Sequence, residues 1–366
     1  MEIKKIRHRH EYLDMARAIG IILVLLCVGI SASNPPTYAA ALSYIPVPLF
    51  FIISGTVVRR HRTSGYGIGH WKDFLIKNVM TLLVPYFIWA MIFSDFSIKN
   101  TLKILFASAE KLGEAGVPAI LWFLPCLFCA RVLTELIIMS SKLFLWLERH
   151  VYAAIIAVFA FAAAFVIPPI DGGYPLCFNV SLLALGFMLF GYAVKAPLAL
   201  LKEKNFFLSV TLFLVCSGAF AAVMLLCGDD LKFSFVGYGK YGDIPLFLIS
   251  SVCGAGAVLI FSVMISMLCS KKRKGVLRRI VLWIGKNTMG IFILFMPLTG
   301  WVIPKTAELF GLSAESAPVT VVGTAARLLI CCVLTLIVNT VMPQLFGKER
   351  KSGKADTEPS DQTENM

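Results

Sequence analysis

Charged residues are scarce in this chain. Asp, Glu, Lys and Arg make up 15% of its 366 residues, whereas hydrophobic residues make up 58%. A soluble domain usually carries about 25% charged residues, and no water-soluble core could bury this much apolar surface. The composition therefore excludes a soluble enzyme and a disordered chain. Apolar runs of about 20 residues, each long enough to cross a bilayer, recur along the whole length. They predict an all-α, polytopic membrane bundle.

Paired cysteine spacings are also missing. The ten cysteines lie in apolar runs or at their ends, and no CxxC motif has a histidine partner. This pattern gives no sign of a disulfide framework or of a zinc site. We expect cysteines that pack in the core, and no metal.

The apolar runs predict ten transmembrane helices. They cover residues 16–33, 38–58, 74–96, 117–139, 151–167, 176–194, 206–227, 244–268, 280–302 and 319–342.

The distribution of positive charge predicts the orientation of the bundle. With the N-terminus in the cytoplasm, the inner segments hold 24 Lys and Arg and the outer loops hold six. This bias follows the positive-inside rule and predicts that both termini are cytoplasmic. We therefore attribute the net charge of +13 to topology and contact with the lipid bilayer, not to nucleic acid. We expect a multi-pass protein of the plasma membrane.

No shift in composition marks a second folded domain. Residues 1–13 form a basic cytoplasmic N-terminus, residues 14–346 the transmembrane domain, and residues 347–366 a polar tail that we expect to be disordered.

Ionisable side chains inside predicted spans are costly and mark candidate sites. Asp14 and Arg17 share one face of the first span, either as a cation at the mouth of a cavity or as an intrahelical ion pair. Arg131 lies in the fourth span, four residues before Glu135, at a spacing that allows a neutralising pair. Arg327 either lines a polar cavity or interacts across helices.

Two further features each allow two interpretations. The inner segment 59–73 begins with Arg59 and Arg60 and contains three glycines, a combination that could grip phosphate or could simply obey the topology rule. Proline occurs inside the second, third and fourth spans, where broken helices can line a cavity or be ordinary kinks.

Several stretches resemble the acyltransferase-3 family of integral-membrane O-acyltransferases, and in part its fucose 4-O-acetylase-like branch. They are EYLDMARAIGIILVLL at 11–26, PLFFIISGTVV at 48–58, VPYFIW at 84–89, LWFLPCLF at 121–128, LALGFMLFGYAVK at 183–195, YGKYGDIPLFLISSVCG at 238–254 and GKNTMGIFIL at 285–294.

The resemblance implies transfer of an acyl group, typically acetyl from acetyl-CoA, to a hydroxyl of a sugar or a lipid-linked or envelope glycan. It implies that the donor is bound by cations, and that the cavity is lined by polar and aromatic side chains. For the cations we assign Arg17, Arg59, Arg60 and Lys286. For the lining we assign Asp14, Ser54, Tyr86, Trp122, Arg131 and Tyr238.

The family's membrane histidines are not found at the matching positions. These positions are occupied by Val28, Pro46 and Phe295, and all five histidines of the chain lie in inner segments or at span ends. Valine cannot accept a proton, so the catalytic base is unknown. Two other possibilities stay open: a catalytically degenerate family member acting as a membrane binding or structural module, and a transporter of small anions, against which the lack of a visible repeat weighs.

Overall fold

A computed structural model describes residues 11–28, 37–58, 68–141, 147–204, 206–227, 234, 236–269, 275–313 and 316–348. In these residues the chain forms α-helices joined by turns and short 3-10 segments. The α-helices are α1 Glu11–Val28, α2 Thr37–Ser43, α3 Pro46–Val57, α4 Ile68–Asn78, α5 Val84–Phe93, α6 Thr101–Phe106, α7 Ala109–Glu114, α8 Phe123–Ser140, α9 Arg149–Val166, α10 Phe178–Lys204, α11 Phe206–Cys227, α12 Ile244–Cys269, α13 Val276–Lys286, α14 Thr288–Phe310 and α15 Ala317–Val341.

Nine helical segments of the described chain are long and apolar enough to cross a membrane: Ala40–Val57, Trp71–Phe93, Ala119–Ser140, Arg149–Val166, Pro175–Leu201, Phe206–Cys227, Ile244–Leu268, Thr288–Phe310 and Ala317–Val341. An all-helical, multi-pass membrane protein is therefore confirmed. The first predicted span, 16–33, is the one that is missing from these nine; it corresponds to α1, which begins at Glu11 and has three charged residues in its first seven. Its crossing of the membrane stays a prediction, as does the cytoplasmic location of both termini.

The predicted ninth span was placed wrongly at its start. It was expected to begin at residue 280, but the apolar helix α14 begins at Thr288, after a break at Asn287. The Asn287 backbone leaves helical geometry at φ −113° and ψ 16°, and its side-chain amide donates to the Trp283 carbonyl. Lys286 consequently ends the amphipathic helix α13, where a cation interacts favourably with the helix dipole.

Glycines allow α3 and α10 to cross at backbone contact. A Cβ atom on Gly55 would lie 1.9 Å from the Met188 carbonyl oxygen, and one on Gly191 would lie 2.2 Å from that of Ile52. Only small residues permit such an approach, so these two glycines fix the distance between the helices. Large buried side chains, including Phe51, Phe187 and Phe247, fill the surrounding core.

The third span contains one turn of π-helix, Val79–Leu83, between α4 and α5. The Val84 N–H donates to the Val79 carbonyl, five residues earlier, and Pro85 follows. Because proline has no N–H, the Thr81 carbonyl loses its usual helical donor. The wider turn and the proline together distort the span where it passes the candidate site.

The segment after α15 folds back against the third span. The Trp89 indole donates to the Leu345 carbonyl at 2.9 Å and stacks on Phe346, with ring centroids 5.8 Å apart. Gly347 lies against the Thr81 backbone in the left-handed region at φ +65°, which glycine tolerates. Gly347 and Lys348, the first two residues of the predicted tail, are therefore ordered against the bundle, and the rest of the tail lies outside the described residues.

Candidate functional site

A cavity of about 390 Å³ lies between α1, α3, α8, α13 and α14, with Leu82 of the π turn at its wall. This volume falls in the range of small-molecule sites. Twenty residues line the cavity: Asp14, Arg17, Ile21, Val24, Val47, Phe50, Ile53, Ser54, Leu82, Ile120, Trp122, Phe123, Leu124, Leu127, Arg131, Gly285, Lys286, Thr288, Met289 and Phe292.

One end of the cavity is positively charged. Three cations, Arg17, Arg131 and Lys286, line it together with one carboxylate, Asp14. Arg17 Nη1 and Asp14 Oδ1 are 2.8 Å apart, and the Arg17 side chain keeps 30% of its surface exposed. The two predicted alternatives for this pair therefore hold at once: it is an intrahelical ion pair and it faces the cavity. Arg17 is also close enough to Arg131 for their charges to interact.

The charged end is assembled by close contact between α13 and α1. A Cβ atom on Gly285 would lie 1.9 Å from the Asp14 carbonyl oxygen, so only glycine allows this approach. At the other end of α13, Arg278 forms an ion pair with Glu11. These two contacts hold Lys286 beside the first turns of α1.

The opposite end of the cavity is apolar and rich in aromatic rings. Along α1 the lining residues change from Asp14 and Arg17 to Ile21 and Val24, a rise of about 15 Å at 1.5 Å per residue. Along α8 the order is reversed, from Phe123 near the start of the helix to Arg131.

Aromatic rings pack against one another at this apolar end. Phe123 contacts Phe50, Trp122 and Phe292, with ring centroids 6.1, 5.9 and 5.5 Å away. The cavity therefore offers cations to an anionic group at one end and an apolar surface to a small acyl group or a ring at the other.

Arg131 is held by a residue that the sequence analysis missed. Its Nη1 donates to Asn78 Oδ1, at a distance of 3.1 Å. Asn78 is buried at the end of α4. Its one mark in the sequence is a polar side chain inside the predicted third span, 74–96.

Six of the predicted site residues meet around this cavity: Asp14, Arg17, Ser54, Trp122, Arg131 and Lys286. Their roles stay predictions. Arg59 and Arg60 lie outside the described residues.

Tyr86 does not line this cavity. Its side chain is fully buried, and its hydroxyl donates to the Ile104 carbonyl at 2.6 Å. The phenol thus joins α5 to α6 and does not line the cavity.

Tyr238 lies on the other side of Trp122, in a second, much smaller pocket with Ser108, Glu110, Tyr174 and Asn179. Burial raises the pKa of the Tyr238 phenol, and the Glu110 carboxylate raises it further. A Cβ atom on Gly237 would lie 2.2 Å from Trp122 Nε1. The Trp122 indole and the Gly237 backbone therefore separate the two pockets.

Val28 does not line the large cavity either. It packs against an apolar cluster that includes Leu25, Ile291 and Phe295. Two positions at which the family resemblance implies histidine, 28 and 295, therefore belong to one cluster and hold apolar side chains. His150, the histidine whose side chain the structure describes, stacks on Tyr192 with ring centroids 5.2 Å apart.

Arg327 crosses between helices and does not line the cavity. Its guanidinium is fully buried. It donates to the carbonyl of Leu25 and the hydroxyls of Thr324 and Thr299, at 2.8, 2.9 and 3.0 Å, and to the Gly323 carbonyl at 3.3 Å. Arg327 thereby connects α1, α14 and α15, which decides between the two roles predicted for it.

The fold and the cavity define a multi-pass membrane protein with a buried site that is cationic at one end and aromatic at the other. The chain belongs to the acyltransferase-3 family, because the family model described as an acyltransferase domain matches residues 10–341, nearly its whole length. This match supports a membrane acyltransferase-like function. Comparisons with curated proteins and with solved structures gave no match.

Proposed function

We propose that this protein takes an acyl group, acetyl in the first instance, from acyl-CoA and transfers it to a hydroxyl of a sugar or of a lipid-linked or envelope glycan. The fucose 4-O-acetylase-like branch is the nearest description of this activity. The plasma membrane is its proposed location, with the donor arriving from the cytoplasm.

The observation that carries the proposal is the polarity of the large cavity. Arg17, Arg131 and Lys286 offer guanidinium and ammonium donors that suit the phosphates of coenzyme A. Phe50 and Phe292, farther in, offer an apolar surface to the pantetheine arm and the acyl group. Burying the thioester beyond the charged end would exclude water and so limit hydrolysis.

In the proposed transfer, the acceptor oxygen attacks the thioester carbonyl carbon. A C–O bond forms, the C–S bond breaks, and the proton of the hydroxyl ends on the coenzyme A thiolate. Of the described residues that line the large cavity, Asp14 is the carboxylate and none is a histidine. Because Asp14 is paired with Arg17, we assign it to binding and leave the proton acceptor unassigned.

For the acceptor we propose the side of Trp122 that faces Tyr238. The pocket there measures about 10 Å³, room for a single water, so it would have to widen to admit a sugar; Asn179 borders it, and Tyr238 supplies a ring on which a sugar face can stack. Trp122 would then lie between the two substrates and would have to move for the transfer.

The test is release of free thiol and acyl transfer by the purified full-length protein supplied with acetyl-CoA and a panel of sugar and glycan acceptors. We expect acceptor-dependent thiol release that falls at least tenfold in Arg17→Ala and Arg131→Ala. Arg149→Ala, at the start of α9 and outside the cavity lining, is the matched control and should keep full activity. Thiol release no faster than a protein-free blank, with no effect of either substitution, refutes the proposal.

A second candidate function is binding without catalysis, and the apolar cluster around Val28 and Phe295 favours it. A degenerate member would keep the donor cavity and lack the base. The discriminating measurement compares acetyl-CoA binding by wild type with thioester cleavage and acetyl transfer by the same protein. If wild type binds acetyl-CoA and neither cleaves nor transfers it with any acceptor, the chain is a binding module. If wild type transfers acetyl, this candidate is eliminated.

A further inference from the structure

We propose that Asn78 is a positioning residue: its neutral amide holds the Arg131 guanidinium at the cavity without cancelling its charge, and this keeps Arg131 available to the phosphates of the donor. The inference rests on the proposed function, since it concerns binding of the same anionic donor.

The first support is the way in which Asn78 itself is fixed. Its Nδ2 donates to the Phe74 carbonyl, one turn earlier in α4, at 2.8 Å. This bond uses the NH₂ side of the amide and so leaves Oδ1 as the group that faces Arg131. The side chain is 5% exposed, so water does not compete for it. Asn78 is thus an acceptor of fixed direction.

The second support is the backbone around Asn78. The residue immediately precedes the π turn Val79–Leu83, and Leu82 of that turn lines the cavity. Single π turns inside α-helices recur at functional sites, because they redirect side chains that an unbroken α-helix would point elsewhere. The third span thus contributes two residues here: Asn78, just before the π turn, accepts from Arg131, and Leu82, within the turn, lines the cavity.

The third support is the contrast between the two arginines at the charged end. Arg17 is paired with a carboxylate, Asp14, whereas the hydrogen bond of Arg131 goes to a neutral amide. A carboxylate at position 78 would form a charge-assisted pair with Arg131 and neutralise it. Asparagine supplies the same geometry and leaves the positive charge for the ligand.

The decisive variant is Asn78→Asp, which keeps the size of the side chain, adds a negative charge and removes the bond to the Phe74 carbonyl. We expect purified Asn78→Asp to bind acetyl-CoA at least tenfold more weakly than wild type. Binding of the phosphate-free thioester S-acetyl-N-acetylcysteamine should change less than twofold. A residue that served only the packing of α4 would weaken both ligands equally. Asn100→Asp, in the outer segment before α6, is the matched control and should leave both affinities unchanged.

The outcomes separate the two proposals. If wild type shows no saturable binding of acetyl-CoA, the proposed function fails, and the role of Asn78 fails with it. If wild type binds and Arg131→Gln binds weakly, but Asn78→Asp retains wild-type affinity, only the role of Asn78 is overturned.

If Asn78→Asp does not fold, Asn78→Leu is combined with Arg131→Gln. We then expect the loss in the double variant to equal the loss from Arg131→Gln alone, because Asn78 acts through Arg131. Additive losses overturn the proposal.

Discussion

Two arginines inside the helical bundle are held in opposite ways. Arg131 faces a cavity and is held by one described hydrogen bond to the Asn78 amide. Arg327 is fully buried and donates four hydrogen bonds to carbonyls and hydroxyls of three helices. Both are costly at membrane depth. The comparison suggests a rule for cations inside a membrane bundle. A cation whose N–H donors face a cavity indicates a ligand site, whereas a cation whose donors are all bonded to neighbouring helices connects those helices.

The largest effect on stability is expected at Arg327. Arg327→Leu leaves the Leu25 carbonyl and two threonine hydroxyls without their donor, which should cost about 4 kcal/mol of unfolding free energy. The thermal unfolding midpoint of the purified protein is the measurement, with Arg149→Leu as the control. An unfolding midpoint equal to that of wild type would mean that Arg327 does not stabilise the contact between these helices.

The next effect is expected where α13 meets α1. Gly285→Ala places a methyl group against the Asp14 carbonyl, and overpacking of this kind costs about 2–3 kcal/mol. Because Lys286 and Asp14 move apart, acetyl-CoA binding should weaken as well. Gly275→Ala, at the other end of the same helix, meets no atom within 4 Å and should behave as wild type. Equal behaviour of the two alanine variants would contradict the close contact.

Arg131→Gln is expected to weaken donor binding and to leave stability almost unchanged, the opposite of what we expect for Arg327→Leu. Loss of a charge-assisted contact to phosphate is worth about 2 kcal/mol, or roughly thirtyfold in affinity. The unfolding midpoint should stay within a few degrees of wild type, because the guanidinium faces a cavity. Titration with acetyl-CoA measures the affinity, and a thermal scan of the same sample measures the unfolding midpoint. A lowered unfolding midpoint with normal acetyl-CoA affinity would mean that Arg131 stabilises the fold and does not bind the donor.

The smallest effect is expected at Tyr86, which the sequence suggested as a cavity residue and the structure places elsewhere. Tyr86→Phe removes the hydrogen bond to the Ile104 carbonyl and should cost about 1 kcal/mol in stability. Donor affinity should not change. A loss of donor binding without a loss of stability would show that Tyr86 does contribute to the donor site.

The sequence predicted the helical class and most span boundaries because long apolar runs leave few alternatives. It failed at Asn287, where a single side-chain amide ends α13 in the middle of an apolar run. Ionisable residues inside spans pointed to Arg17 and Arg131, but spacing alone could not separate them from Arg327. That distinction depends on which helices face each other, and local sequence does not encode this.

The aromatic assignments show the same limit. Trp122 and Tyr238 looked equivalent in the sequence, yet Trp122 lines the large cavity and Tyr238 lies in the second pocket, with the Gly237 backbone against the Trp122 indole between them. Asn78 was missed because an isolated polar residue inside a span has no recognisable pattern until its partner is known.

The central claim is that the cationic end of the cavity receives the phosphates of an acyl donor. Its most direct test is equilibrium binding of coenzyme A, without an acyl group or an acceptor, to wild type and to the Arg17→Gln/Arg131→Gln double variant, at low and at high salt. The account predicts saturable binding by wild type that weakens with salt and that is lost in the double variant while the protein remains folded. Binding of equal strength in both proteins, or none in either, would contradict it.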